Sequence, residues 1–235
     1  MSDLPSSLAR EQPYAPPLDA GLQIVYQDEH LIAINKPANL LSVPGRGEDV
    51  QDCALHRVQI RYAAALLIHR LDEATSGLLL FALSPAMQKA MGAAFEARQV
   101  QKIYHAWVHG TNLPEHGVID APIAVDWPNR PMRMINAQTG QRAITHFQSL
   151  SKNEHYPHIL CRLEPKTGRT HQLRLHMQHI GHPIVGDRLY GLKLGEAPRL
   201  MLHASGLKFA HPLKDGQLIE LASTPPFLAS NLSGV

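Results

Sequence analysis

Apolar positions in this chain fall mostly in short runs at strand spacing, broken by a few stretches at helical spacing. Leu22 to Tyr26 and Leu31 to Asn35 are β-prone runs joined by the turn-forming Gln27 to His30, which predicts a hairpin. Val50, Ala54, Val58 and Tyr62 recur at helical spacing and predict a helix over 49–65. The unbroken apolar run Leu78 to Leu83 reads as a buried strand. Ser84 then caps a second helix with Pro85 at its first position, and Met87, Met91, Ala94 and Phe95 form its apolar face. Lys102 to Val108 alternates as a strand, with Lys102 and Tyr104 on one face and Ile103 and His105 on the other. Ala143 to Leu150 and His158 to Leu163 predict further strands. Leu173, Met177 and Ile180 mark one face of a helix that Gly181 ends, and Leu200 to Phe209 and Leu218 to Ala222 predict two closing strands.

Hairpin-like strands with a few intervening helices indicate an α+β fold, a mixed and mostly antiparallel sheet flanked by helices. Residues 1–20 hold Pro5, Pro13, Pro16 and Pro17 with little periodicity and read as a flexible or extended tail, leaving 21–230 as one domain. The chain has 235 residues, enough for a sizeable core, and its 44% hydrophobic and 18% charged fractions suit an ordinary globular protein. No apolar stretch approaches the ~18 residues that span a bilayer, and Met1 to Gln12 lacks a signal-peptide core. The expected address is the cytoplasm. Cys53 and Cys161 belong to no C-x-x-C pair and read as buried, reduced thiols.

Net charge is only +2, but its distribution is uneven. Residues 1–100 carry 8 Lys+Arg against 11 Asp+Glu, while residues 101–235 carry 14 against 9. The second half therefore suits a polyanion, although solvated helix faces would account for the same counts.

The densest chemistry precedes the Leu78 strand: His69-Arg70-Leu71-Asp72-Glu73-Ala74-Thr75-Ser76-Gly77. A charged group set against a buried strand, with Gly77 allowing a tight path, reads as a polar site mounted on a sheet edge. By chemistry alone, an Asp beside Thr-Ser-Gly more often serves an Asx-turn or a solvated loop. The whole string His-Arg-Leu-Asp-x-x-Thr-Ser-Gly, however, resembles the signature of the RluA family of pseudouridine synthases, whose catalytic aspartate falls at Asp72. An "NKPxGLL"-like segment at Asn35 to Leu41 agrees, with Asn39 in place of the usual glycine, and Asn tolerates left-handed backbone.

The resemblance extends over about residues 22–227 and implies a pseudouridine synthase catalytic fold with a central RNA-binding cleft. It is to the short members of the family, which lack the extra N-terminal RNA-binding domain. It assigns the active-site tyrosine to Tyr104, a position that strand chemistry alone would give to packing. Gly168 to Met177 is similar to a further family motif, in which an arginine at Arg174 pairs with the catalytic aspartate. Arg174 follows Leu173 directly and so points away from the centre of the apolar helix face. The loop Asp126-Trp127-Pro128-Asn129-Arg130-Pro131, with Arg133 after it, offers stacking and phosphate contacts to unpaired nucleotides; a surface turn with Trp127 folded into the core fits as well. The same string narrows the resemblance to the type of member that acts on large-subunit (23S) rRNA and on a tRNA anticodon stem-loop.

Implied residues are therefore Asp72, Tyr104 and Arg174 for catalysis, and Arg70, His69, Lys102, Trp127, Arg130, Arg133, Arg169 and His171 for RNA. Arg70 is favoured over His69 to fill the space of a flipped-out nucleotide. Asp72 would serve as nucleophile or base, with attack on C1′ and removal of a ribose proton both open, and a close cation would keep it charged. Asp72 and Glu73 are adjacent and, if extended, point to opposite sides. The histidines His171, His176, His179 and His182 do not have H-E-x-x-H spacing, and no acid lies between Thr170 and His182, so no metal is expected. No dinucleotide fingerprint or P-loop occurs, so no cofactor is expected. The expected partner is RNA, without DNA or membrane, and the expected state is a monomer. Competing readings are a non-catalytic RNA-binding or chaperone protein on the same scaffold and a metal-dependent hydrolase using the histidine-rich helix.

Overall fold

The computed structural model describes residues 13–153 and 157–229. Most of the expected N-terminal tail lies outside these residues. Residues 13–20 form no helix or strand, yet they are tied to the body. The Tyr14 hydroxyl donates to the carbonyl of Asp52 and accepts from Leu41 N–H, and Arg57 donates to the carbonyl of Pro17.

The hairpin forms as predicted, from β1 (Ile24–Gln27) and β2 (Leu31–Lys36). Asp28 closes its turn by accepting from the amides of His30 and Leu31. The helix expected over 49–65 is interrupted. Glu48–Val50 is a single 3-10 turn, and α1 (Ala54–Arg61) begins only after extended Cys53, whose Sγ accepts from His56 N–H. Val50, Ala54 and Val58 are nonetheless all buried, so the spacing marked the inward side even where the backbone is not helical.

The short β3 (Leu66–Leu67) and β4 (Ser76–Ala82) flank the Asp72 segment, and every residue of β4 is buried. α2 (Pro85–Glu96) carries the predicted cap, with Ser84 Oγ accepting from Met87 N–H, and buries Met87 and Met91. β5 (Gln101–His109) follows. Three strands escaped the sequence pattern: β6 (His116–Asp120), whose residues are mostly exposed, and β7 (Ile123–Val125) and β8 (Arg133–Ile135), which are three residues each and form a separate hairpin. β9 (Ile144–Lys152), β10 (His158–Pro165), α3 (Gln172–His179), β11 (Leu202–Ala210), β12 (Leu218–Ala222) and α4 (Pro226–Ala229) complete the chain.

Ten strands make one sheet in the order β1-β2-β4-β11-β5-β10-β9-β6, with β12 on β11 and β3 on β4. All its pairs are antiparallel except β4 with β11, so the sheet is mixed and mostly antiparallel, as expected. β4 lies inside the sheet, between β2 and β11, which corrects the expectation of a sheet edge. An unbroken apolar run is what burial on both faces requires, and that is a property of central strands.

On one face, α1 covers Ile32, Ile34, Leu79 and Phe81, while α3 covers Ala106, Val108, Cys161 and Leu163. On the other, α2 covers Leu31, Ala33, Leu78 and Leu80. Tyr104 packs against both clusters of the first face. The seam between the two clusters therefore lies over β5 and the start of β4.

Candidate active site

Asp72 sits in the loop entering β4, in a turn closed by Thr75 N–H donating to the Asp72 carbonyl at 3.1 Å. The segment is a turn, not the extended stretch expected for Asp72 and Glu73. Three contacts hold it. Ser42 Oγ donates to the Leu71 carbonyl at 2.7 Å and accepts from Leu71 N–H. Lys36 is fully buried, and its Nζ donates to the carbonyls of Pro37, Leu40 and Glu73 at 2.9, 2.6 and 3.1 Å. Burial pushes the Lys36 ammonium down to about 7 against the opposing pull of Asp72. Gly77, at φ 113°, lets β4 start hard against β11, because a Cβ there would fall on the backbone of Ala204. The left-handed backbone expected at Asn39 is present, at φ 62°.

Arg174 reaches Asp72 from α3. All of Gln172 to Met177 is buried, and Arg174, turned away from the Leu173 stripe as expected, is only 5% exposed. Its Nη1 donates to Asp72 Oδ2 at 3.3 Å. Its Nε and Nη2 each donate to Asp187, both at 2.7 Å. Burial opposes the charge on Arg174, but Asp187 and then Asp72 outweigh it and raise the pKa above the ordinary arginine value. Asp187 shows the mirror effect: burial pushes its carboxyl up, and the Arg174 bonds pull it below the carboxylate range.

Tyr104 stands on the same side of the sheet, between the two apolar clusters. Burial and the nearby Asp72 charge both raise its phenol pKa, so it is a neutral hydroxyl at physiological pH. Asp72, Tyr104 and Arg174, widely separated in sequence, thus share one site: a carboxylate fixed in a turn, a cation bound to it and an aromatic hydroxyl within its field.

The RNA-facing residues expected from sequence divide into groups. His171 and Arg133 meet through Tyr190, whose Oη accepts from Arg133 N–H at 2.8 Å and lies 2.9 Å from His171 Nδ1. Burial lowers the His171 pKa against the pull of Asp72. Lys102 donates to the Thr167 carbonyl at 3.0 Å, and exposed Arg169 braces against Gln141 and the Arg142 carbonyl. Trp127 is 65% exposed in the loop between β7 and β8, with the Arg130 guanidinium 4.3 Å from its ring centroid, so the indole is not folded into the core. Arg70 is exposed and has no hydrogen bond or ion pair among the described residues.

His69 differs from the rest. Its Nε2 accepts from Leu80 N–H at 3.1 Å, continuing the β3 ladder with a side chain, and its ring stacks on Phe95 of α2 at 4.8 Å. The structure gives it a packing position against β4 and α2. Of the histidines of the metal reading, His176 is bonded to Thr145 and the Ala121 carbonyl, and His182 to the His109 carbonyl. Among the described residues, no three His, Cys, Asp or Glu side chains are grouped as metal ligands.

Sequence reasoning missed Lys36, Asp187 and Tyr190. A signal existed for one of them: Asp187 is the single acid within residues 165–195, set among basic residues and flanked by Gly186 and Gly191.

Comparison with known proteins agrees with this geometry. Residues 30–179 match the family described as RNA pseudouridylate synthase. The dual-specificity RNA pseudouridine synthase RluA of Escherichia coli (strain K12) is 43% identical over 203 residues, covering 85% of this chain and 91% of that protein. The protein of the same name from Pasteurella multocida (strain Pm70) is 42% identical over 218 residues, covering 91% and 98%. Among solved structures, human RNA pseudouridylate synthase domain containing 1 superposes with a TM-score of 0.74 at 28% identity, covering 91% of this chain and 87% of that one. A family match across most of the chain, a shared fold and a carboxylate held beside a buried arginine converge on one assignment: the chain belongs to the RluA-type RNA pseudouridylate synthases, which are isomerases.

Proposed function

We propose that the protein isomerises uridine in RNA with Asp72 as its one reacting carboxylate, Arg174 as the cation that orients it, and Tyr104 against the base. The observation that carries this reading is the Arg174 to Asp72 contact at 3.3 Å in the seam that Tyr104 lines. In the reaction the bond from ribose C1′ to uracil N1 breaks, the base turns, C5 bonds to C1′, and the proton on C5 is lost as one is gained at N1. Nothing is expelled and no water is consumed. Hydrolysis of a glycosidic bond normally sets two carboxylates about the sugar; an isomerisation that activates no water needs one. Asp72 works at C1′ or on a ribose proton, and either route requires a carboxylate of fixed direction: Arg174 bonds the carboxylate itself, while Ser42 and Lys36 hold the backbone of Leu71 and Glu73 on either side of it.

C1′ is out of reach in a stacked nucleotide, so the target is flipped out at a cost of roughly a few kcal/mol. Arg70, exposed two residues from Asp72, is placed to enter the vacated space. Trp127 and Arg130 form an exposed stacked pair suited to unpaired bases, and Arg133, Arg169, Lys102 and His171 supply further contacts. In this reading the substrates are a site in large-subunit rRNA and a tRNA anticodon stem-loop, in keeping with the dual specificity in the relatives' names. The protein works as a monomer in the cytoplasm without a cofactor. The test is tritium release from C5-labelled uridine in a transcribed tRNA anticodon stem-loop and in an rRNA hairpin. Release by the native protein and none by Asp72→Asn is expected. Binding of both RNAs without release by either protein would instead favour a non-catalytic RNA-binding protein.

A further inference from the structure

We propose that Asp187 is a positioning residue for the isomerisation, acting only through Arg174. The inference rests on the catalytic reading of Asp72 and extends it to a residue that never meets the substrate.

The hydrogen-bond inventory of the carboxylate carries the argument. Asp187 Oδ1 accepts from Arg174 Nη2 at 2.7 Å, from Leu189 N–H at 2.9 Å and from Tyr190 N–H at 3.1 Å, and Oδ2 accepts from Arg174 Nε at 2.7 Å. An ionised carboxylate offers about four acceptor sites. Four bonds are made, three at Oδ1 and one at Oδ2, and the residue is 2% exposed, so Asp187 lacks the access to touch RNA. What it does is set a direction. A guanidinium is planar, so fixing Nε and Nη2 fixes the plane and the axis along which Nη1 points. Nη1 is the atom that reaches Asp72, and at 3.3 Å its bond is longer than the two to Asp187. The shorter pair anchors the arginine and the longer bond acts on the reacting carboxylate. Without the anchor, Arg174 would be a buried cation whose partner is the reacting group itself, free to swing onto Asp72 and block it.

The same turn ties the anchor to its surroundings. Tyr190 lies under the Arg174 guanidinium, 5.4 Å from its ring centroid, and its hydroxyl bonds the backbone of Arg133 on β8 and His171 at the start of α3. Asp187 and Tyr190 therefore hold Arg174 from two sides.

The test uses the full chain, the near-isosteric Asp187→Asn, Arg174→Met and the double variant. Two readouts are needed. The first does not depend on activity: the Arg174 Nε–H proton resonance, assigned by its loss in Arg174→Met, should exchange slowly in the native protein and be lost or averaged in Asp187→Asn at a temperature where both are folded by circular dichroism. The second is multiple-turnover tritium release. Asp187→Asn should lower kcat by about 10²-fold, the scale of a misplaced catalytic group, with KM for RNA changed less than about threefold. In the Arg174→Met background the same substitution should add less than about twofold. A merely structural residue would lower activity by the same factor in both backgrounds, and cooling would restore it. A slowly exchanging Arg174 Nε–H in Asp187→Asn, a kcat within about threefold of native, or equal losses in both backgrounds overturns the proposal. If the native protein releases no tritium, the catalytic reading fails, while the resonance still decides whether Asp187 holds Arg174.

Discussion

The position of His69 makes a prediction that separates packing from RNA contact. Its Nε2 must stay unprotonated to accept from Leu80 N–H, and burial, with a smaller push from Lys102, lowers its pKa from 6.5 to about 3. In the unfolded chain the imidazole takes up its proton near pH 6.5. The folded pKa is thus depressed for a base, and between the two values the unfolded state binds the extra proton. The stability this group contributes is fully present above about pH 6.5 and is lost as the pH falls toward 3. At pH 5 the deficit spans about 1.5 pH units at about 1.4 kcal/mol each, or about 2 kcal/mol. His203, lowered to about 4 by burial and then Arg199, contributes in the same direction. Against a total of about 5–15 kcal/mol, such losses are easily measured. The assay is urea unfolding at pH 7 and pH 5 for native protein and His69→Gln, whose amide oxygen can still accept from Leu80 but does not titrate. His69→Gln should lose about 2 kcal/mol less than native over this interval, and at pH 7 should retain tritium release within about threefold. A difference in acid sensitivity below about 0.5 kcal/mol refutes the packing argument, and a large loss of RNA affinity at pH 7 would return His69 to the RNA surface.

Two further outcomes follow from the same geometry. Gly77→Ala places a Cβ on the Ala204 backbone at a positive φ, so strain of about 1–3 kcal/mol and crowding of about 1–3 kcal/mol should lower the urea-unfolding stability by about 2–6 kcal/mol; a loss below about 1 kcal/mol would show that β4 does not start against β11 as described. Trp127→Ala should weaken binding of a single-stranded RNA by about 1–3 kcal/mol while the melting temperature stays put, because the indole is 65% exposed; unchanged affinity would remove the loop between β7 and β8 from the RNA surface.

Much of this molecule is written locally. The first hairpin, the Ser84 cap, the buried run of β4 and the inward face of α3 were legible because each depends on residues a few positions apart, whose period and capping chemistry do not need the rest of the chain. Asp72, Tyr104 and Arg174 were legible because the strings around them resemble a family signature. Other features depend on which segments meet. Asp187 is an isolated acid in the sequence and becomes an anchor only because the loop after α3 turns back beneath Arg174. His69 reads as part of a charged motif until Leu80 and Phe95 enclose it. Lys36 stands at the end of an ordinary strand, and the approach of the Leu40 and Glu73 carbonyls adds to that of neighbouring Pro37 to give its buried ammonium partners. The sheet edge inferred for Asp72 became the mouth of a central strand through the parallel pairing of Ser76 and Gly77 with His203 and Ala204. Periodicity states which side of an element is turned inward; which charge, ring or carbonyl waits there is settled by packing between distant segments, and it is those contacts that orient the Asp72 carboxylate.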